Sequence, residues 1–186
     1  MRSIKHTSQH GFTLIEVLIA FVILSFGLLG AVALQAKAKQ ASFDSMQRAA
    51  AVALGNDIIQ RIRANDRVAS ITQYNGTFTS NTALEQSRTC YTDTCSSAQI
   101  AALDRQQWIR AIQARENTGA LDDATVCIEN SVAAGNGGRG VNIQVVVSWR
   151  GRQEITANAE TKKITCGEES NTRRVMVLKS YVYSRS

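Results

Sequence analysis

The hydrophobic pattern of the chain begins with a long, nearly uncharged run. From Phe12 to Leu34 most residues are apolar, and Glu16 carries the single charge. At a rise of about 1.5 Å per residue, a helix of this length crosses a hydrocarbon core roughly 30 Å thick. The run therefore predicts a membrane-spanning helix over residues 12–34.

After Leu34 the pattern becomes amphipathic, and no proline interrupts it. Gly55 is a weak point, because glycine costs about 1 kcal/mol relative to alanine inside a helix. We expect the helix to continue over residues 35–65 and to pack its carboxyl half on a globular domain over residues 66–186. The apolar positions of this face recur at spacings of three or four: Phe43, Met46, Ala50, Leu54, Ile58 and Ile62.

The chain beyond the long helix predicts an α+β domain. Residues 74–88 are polar, and Asn75 with Gly76 is typical of a turn, so we expect a surface loop there. A second helix is expected from Ser96 or Ser97, since either serine is a good N-cap. The inner positions of that helix are expected to be Ile100, Leu103, Trp108 and Ile112.

Four segments rich in β-branched and aromatic residues predict an antiparallel sheet, at 126–132, 141–149, 153–159 and 174–183. The glycine-rich residues 135–140 lack the spacing of a phosphate-binding loop, so we interpret them as a hairpin tip. The basic residues near the end of the chain are interpreted as a solvated strand face, with DNA as an open alternative. These basic residues are Arg173, Arg174, Lys179 and Arg185.

Two interpretations of the apolar run do not depend on a resemblance to any protein family. A plain membrane anchor explains its length but gives Glu16 no purpose. A cleaved secretory signal would use Arg2 and Lys5 in its basic start and Ala31 with Ala33 at its cleavage site before Leu34. The run is, however, longer than the usual apolar region of about 7 to 15 residues in a signal. Basic residues lie on both sides of the run, so charge alone does not orient it.

Residues 11–20 read GFTLIEVLIA and resemble, without a departure, the prepilin signature of type IV pilins and type II secretion pseudopilins. The resemblance implies that residues 1–11 are a leader, that prepilin peptidase cleaves after Gly11, and that Phe12 becomes an N-methylated amino terminus. It also implies that Glu16 pairs with the Phe12 amine of a neighbouring subunit in a filament. An unpaired charge in hydrocarbon costs a few kcal/mol, so this pairing gives Glu16 a physical purpose.

The resemblance implies a fold and a location as well. The expected fold is the type IV pilin fold, in which a long amino-terminal helix packs on a carboxyl-terminal antiparallel sheet domain with a short extra helix. The expected location is the inner membrane, with a single pass and the carboxyl-terminal domain in the periplasm. From there the protein would enter a pilus at the cell surface.

The residue inventory argues against an enzyme. The chain has 186 residues, 44% of them hydrophobic, and a formal net charge of +6, which only weakly favours acidic partners. The two histidines, His6 and His10, fall within the leader that the resemblance implies. Without them the chain has no histidine for a Ser-His-Asp or Cys-His arrangement or for most zinc and iron sites. We expect no enzymatic activity, no cofactor and no metal.

The four cysteines lie beyond the apolar run, at Cys90, Cys95, Cys127 and Cys166. An even count in an exported domain is typical of disulfides, and three pairings are formally open. We favour Cys90 with Cys95 and Cys127 with Cys166 because both closed loops are then local. A zinc site is the weaker alternative, since the last two cysteines are too far apart to form a ligand pair.

Three further stretches are similar to the PilV-type minor pilins, also called type IV pilus modification proteins. They are ILSFGLLG at 23–30, CSSAQIAALDRQQWIRAI at 95–112 and VNIQVVVSWRG at 141–151. The similarity implies a minor pilin of a priming or tip complex, which promotes pilus assembly and so twitching motility, adhesion or DNA uptake.

The partners implied by the resemblance are prepilin peptidase, the other minor pilins, the major pilin, the inner-membrane assembly platform, and membrane lipid before assembly. The alternatives are a minor pseudopilin of type II secretion and, from a different class, a secreted soluble binding module.

Overall fold

The computed structural model describes residues 11–85, 90 and 94–184, and in these residues the chain is an α+β protein. The helices are α1 (Leu14–Ala64), α2 (Val68–Ile71), α3 (Ser97–Asn117) and α4 (Ala159–Lys162), with short 3-10 turns at Thr72–Tyr74 and Asn136–Gly138. The strands are β1 (Gly76–Thr79), β2 (Asp122–Val132), β3 (Gly140–Arg150) and β4 (Arg173–Tyr183). The predicted fold class is confirmed.

Helix α1 is continuous over 51 residues, as the absence of proline predicted. The chain divides into two compact units, of which the first ends at Phe43 and the second begins at Asp44. The apolar run belongs to the first unit. The sheet, the other helices and the carboxyl part of α1 belong to the second.

The carboxyl part of α1 buries a face close to the predicted one, and Leu54, Ile58 and Ile62 are buried as expected. Met46 is 49% exposed, so its predicted inner position is wrong. A helix turns about 100° per residue. Around the helix axis, Met46 therefore lies about 80° from Leu54, whereas Gln47 lies only about 20° from it. Gln47 takes the inner position instead, and its Nε2 donates to the Gly119 carbonyl at 3.5 Å.

The four strands form one antiparallel sheet in the order β1-β2-β3-β4. Valines and isoleucines of one face pack with α1 and α3 into a single core. The hairpin between β2 and β3 turns on glycines with positive φ, among them Gly137 at 61° and Gly138 at 74°. The predicted hairpin tip is therefore confirmed.

Gly55 is explained by how closely α1 approaches β4. A Cβ added at Gly55 would come 2.6 Å from Leu178 Cδ1 and 3.1 Å from Met176 Cε. A side chain there would require the ends of the Leu178 and Met176 side chains to shift. Glycine at position 55 thus lets both side chains pack against α1.

Two strand expectations are wrong. Residues 76–79, expected in a surface loop, form β1. Phe78 of this strand is 2% exposed and stacks on Trp108, with 6.2 Å between the ring centroids. Residues 153–159, expected as a strand, lead instead into α4, which Asn158 caps. In the structure β3 is paired with β2 and β4, and the segment after β3 bonds through the Gly151 and Ile155 N–H groups to the carbonyls of Thr172 and Asn171, just before β4.

Helix α3 begins where the sequence predicted, with Ser96 as N-cap and Gln99 completing a capping box. Trp108 and Ile112 are buried as expected, but Ile100 is 37% exposed and Leu103 is only partly buried. Positions four and seven residues before Trp108 share its face. These positions hold Asp104 and Ala101, which are both buried. The inner face therefore includes a carboxylate, which a search for apolar positions does not select.

Arg173 is not on a solvated face, and that expectation is wrong. Its side chain is buried at 7% exposure, and its guanidinium donates to the carbonyls of Thr161, Ile164 and Cys166. A buried charge needs such partners to offset desolvation. Arg173 therefore fastens the segment after α4 to the sheet. Arg185 lies outside the described residues.

Candidate assembly and processing site

The start of α1 brings together the residues that the sequence singled out for processing and assembly. Gly11 and Phe12 precede the helix, which begins at Leu14. The Glu16 backbone N–H donates to Thr13 Oγ1 at 3.3 Å and to the Thr13 carbonyl at 3.1 Å. A threonine three residues before a glutamate has the capping-box spacing. The helix thus starts directly after Gly11 and Phe12 and leaves their backbone outside it.

Gly11 has free space around it. A Cβ added there would meet no atom within 4 Å. Gly167 is different, because its φ is +80° and an added Cβ would collide with Ser148 Oγ. Nothing in the described chain requires glycine at position 11. A requirement for glycine there would come from a partner that approaches the backbone closely.

The apolar run leaves its side chains uncovered. Phe12 is 83%, Phe26 71% and Leu34 73% exposed, and none of the residues from 12 to 34 is buried. Soluble monomers rarely expose contiguous apolar patches of more than a few hundred Å². Within the described residues α1 is the one helix long and apolar enough to cross a membrane, with a mean hydropathy of 2.8 in its most apolar window. An exposed apolar surface of this kind is typical of a helix that lipid or other apolar helices cover.

Glu16 lies on this apolar surface without an ion-pair partner among the described residues. Its neighbours one turn along the helix are Ile19 and Ala20, neither of which offers a positive charge. The nearest basic residue along the described chain is Lys37, several turns away. The described residues therefore supply no positive charge to Glu16.

The cysteines form two disulfides, Cys90 with Cys95 and Cys127 with Cys166. This is the pairing that the sequence favoured because the loops are local. Cys127 pairs with Val146 across β2 and β3, and Cys166 is 5% exposed. The second disulfide therefore fastens the segment between β3 and β4 onto the sheet, beside the contacts of Arg173.

We expect the Cys127–Cys166 disulfide to stabilise the protein more than the Cys90–Cys95 disulfide. The first joins residues 39 positions apart and the second residues 5 apart. Loop entropy gives about 4 kcal/mol for the long loop and about 2 kcal/mol for the short one. Urea unfolding of the detergent-solubilised chain, with each cysteine pair replaced by alanine, measures the difference. Equal losses of unfolding free energy would contradict it.

A buried network of hydrogen bonds joins α1 to α3. The pattern of hydrophobic positions in the sequence did not predict it. Asp104, 7% exposed, accepts hydrogen bonds from Tyr74 Oη at 2.8 Å and from Arg61 Nη1 at 3.0 Å. Asn65 Nδ2 donates to Tyr74 Oη at 3.2 Å. Burial is the main cause that raises the pKa of Tyr74 far above its usual value. The phenol thus stays protonated and keeps donating to Asp104.

Trp108 belongs to the same contact between helices. Its ring is 1% exposed, and its Nε1 donates to Asp57 Oδ2 at 2.9 Å. Asp57 also accepts from Arg61 Nε at 3.0 Å. The sequence interpretation of Trp108 as a core residue is confirmed. Asp104 was missed, although its spacing of four residues from Trp108 puts it on the same face.

We expect Asp104→Ala to lower the free energy of unfolding by about 2 to 4 kcal/mol, because Tyr74 and Arg61 lose a buried acceptor. Asp122→Ala is the matched control, since its carboxylate is 43% exposed and pairs with Arg150, itself 55% exposed. Urea unfolding should show a large shift for the first variant and little for the second. Similar midpoints for both would show that the network is not stabilising.

The described residues hold no group of three or more His, Cys, Asp or Glu side chains that could bind a metal ion. His6 and His10 lie outside these residues. All four cysteines are in disulfides, so none is a thiolate ligand or nucleophile.

Two family models match the chain. Residues 6–32 match the prokaryotic N-terminal methylation motif, and residues 33–106 match the family described as type IV pilin Tt1218. The first match covers Gly11, Phe12 and Glu16. The second runs from the end of the apolar run through the Asp104 network. No curated protein and no solved structure matches the chain.

Proposed function

Because this chain is a type IV prepilin-like protein, with a structural pilin role, we propose that it is a minor pilin of the type IV pilus. In this proposal it joins a priming or tip complex that promotes pilus assembly. The similarity of residues 23–30, 95–112 and 141–151 to PilV-type minor pilins supports the minor role. Twitching motility, adhesion or DNA uptake would then depend on it through the pilus.

The observation that carries the proposal is a capped apolar helix whose single acid has no ion-pair partner among the described residues. A simple anchor does not need Glu16. A filament of packed helices does, since the free amine of a processed Phe12 would supply the positive charge that no described residue offers to Glu16. The methylation motif implies processing by prepilin peptidase and assembly with other pilins. We propose Gly11 as the last leader residue and Phe12 as the N-methylated terminus.

The proposed location is a single pass through the inner membrane, with the second unit in the periplasm before assembly. The two disulfides support this orientation, because disulfides persist in the periplasm and are rare in the cytosol. The inner-membrane assembly platform, the other minor pilins and the major pilin are the proposed partners. Membrane lipid would cover the apolar surface until assembly.

A deletion strain tests the proposal. Loss of the gene should sharply reduce surface pili, complementation should restore them, and the tagged subunit should occur in sheared pili at a small fraction of the major pilin. Mass spectrometry should find a mature chain that begins with methylated Phe12. Normal pili together with a secretion defect would assign the chain to type II secretion instead. A mature chain that begins at Leu34 would make it a secreted binding module.

A further inference from the structure

The two outer edges of the sheet differ in how their backbone groups are satisfied. The order β1-β2-β3-β4 leaves β1 and β4 as edge strands. At the β1 edge, side chains of the protein itself take part: the Thr79 N–H donates to Thr82 Oγ1 at 2.8 Å, and Arg105 Nη2 donates to the Asn75 carbonyl at 3.1 Å. The β1 edge is therefore short and partly capped from within.

The hydrogen-bond pattern shows which groups of β4 face outward. In an antiparallel ladder, residue pairs that bond each other alternate with pairs that do not. The Ser184 N–H donates to the Arg139 carbonyl at 2.9 Å, in the register of the β3–β4 ladder. The even-numbered residues of β4 therefore bond to β3. The N–H and C=O groups of Val175, Val177 and Lys179 point away from the sheet.

The outward edge of β4 is long, regular and open. No backbone or side-chain hydrogen bond from the described residues reaches the outward groups of Val175, Val177 and Lys179. The strand has 11 residues, pairs with β3 without a register shift, and contains no proline. Val177 is 36% exposed. Proteins usually protect such an edge with a proline, a bulge or a covering segment, so this one is suited to pairing with another strand.

The charges along β4 are all positive. Its basic residues are Arg173, Arg174 and Lys179, and it has no Asp or Glu. Arg63 of α1 adds a guanidinium beside the strand, because its Nη2 donates to Ser180 Oγ at 2.9 Å. Lys179 is exposed and forms no ion pair with a described residue. The edge therefore favours a partner that brings negative charge.

We propose that the free edge of β4 pairs with an extended, acidic segment of a second protein. Main-chain hydrogen bonds to Val175, Val177 and Lys179 hold the segment, as when a peptide adds a strand to a sheet edge. An Asp or Glu opposite Lys179 pairs with its ammonium group, and a β-branched or aromatic residue two positions away packs on Val177.

A second copy of this chain does not fit the same edge well. Pairing β4 with β4 brings three further basic residues and no acid to the interface, and like charges on paired strands are destabilising. Lys179 thus disfavours the chain itself and selects an acidic partner. The pairing uses β4 alone, so it is open to the chain both within a pilus and before assembly.

Photo-cross-linking in whole cells tests the pairing. The full-length chain carries p-benzoylphenylalanine in place of Tyr181, which is 44% exposed and lies on the same face of β4 as Val177 and Lys179. The cells are irradiated, and mass spectrometry identifies the peptide that is cross-linked to the chain. Because whole cells are used, the yield does not depend on entry into pili.

Four variants of this chain separate backbone pairing from side-chain contact. Val177→Pro removes an outward N–H and no bond to β3, whereas Val177→Ala keeps that N–H. Lys179→Glu reverses the charge at the edge, and Lys162→Glu makes the same change at an exposed position of α4. Urea unfolding of each purified variant verifies that it is folded.

We expect a cross-link to an acidic, extended segment of a different protein. Val177→Pro should lower its yield about tenfold, because the proline ring blocks the approaching strand. Lys179→Glu should lower it about fivefold, since attraction becomes repulsion. Val177→Ala and Lys162→Glu should retain most of it.

Several results would overturn the proposed pairing. One is an unchanged yield in folded Val177→Pro, which would mean that only side chains meet. Another is an unchanged yield in folded Lys179→Glu, which would mean that the partner is not selected by charge. Capture of a segment without Asp or Glu, capture of a second copy of this chain, or no cross-link at all would overturn it as well.

Discussion

Replacing Gly11 with valine is expected to leave the chain as an uncleaved precursor in the membrane. An added Cβ at Gly11 meets no atom of the described residues, and Gly11 needs no special backbone angle, so valine should not disturb the described fold. The effect would arise in the complex with prepilin peptidase, where a branched side chain would keep the protease from the backbone it must cleave. We expect mature protein to fall at least tenfold, as measured by immunoblotting and by mass spectrometry of the amino terminus.

Gly27→Val is the matched control for this prediction. A Cβ at Gly27 also meets no atom within 4 Å, and Gly27 lies within the same apolar run. The control should therefore insert and be processed normally. Normal maturation of Gly11→Val would remove Gly11 from the cleavage site and with it the leader boundary at residue 11.

Glu16→Ala is expected to remove the subunit from pili while leaving it inserted and processed. An unpaired charge within hydrocarbon costs a few kcal/mol, so its removal should not impair membrane insertion. Assembly should fail because the neutral side chain cannot pair with the amine of a neighbouring Phe12. Glu16→Gln keeps hydrogen bonding but loses the charge, and should fail as well. Fractionation of membranes and sheared pili, followed by immunoblotting, measures the distribution of the subunit.

The competing role for Glu16 is to stabilise the start of α1. An acid in the first turn favours the positive end of the helix by about 0.3 to 1 kcal/mol. Thr13→Ala isolates this local contribution, because it removes the capping hydrogen bond to the Glu16 N–H and keeps the carboxylate. We expect Thr13→Ala to assemble and both Glu16 variants to be excluded. Wild-type amounts of both Glu16 variants in pili would refute the pairing.

The sequence predicted the elements whose physics is local. Helix α1 is determined by the length and apolarity of residues 12–34, by the lack of proline and by the 3.6-residue period of the apolar positions. In the structure this helix runs from Leu14 to Ala64. Ser96 with Gln99 determines the start of α3, and the glycines after β2 determine the hairpin. In each case the residues that decide the conformation are neighbours in the chain.

Tertiary structure decided whatever depends on a distant partner. Residues 153–159 have strand-like composition but join no strand of the sheet, while residues 76–79 pair with β2 despite their polar surroundings. Asp104 is buried because Arg61 and Tyr74 reach it from another part of the chain, and Arg173 because three carbonyls surround its guanidinium. The sequence by itself determined where the apolar run lies and which acid it carries. Only the folded chain shows that this acid has no ion-pair partner among the described residues, because pairing is a property of positions in space.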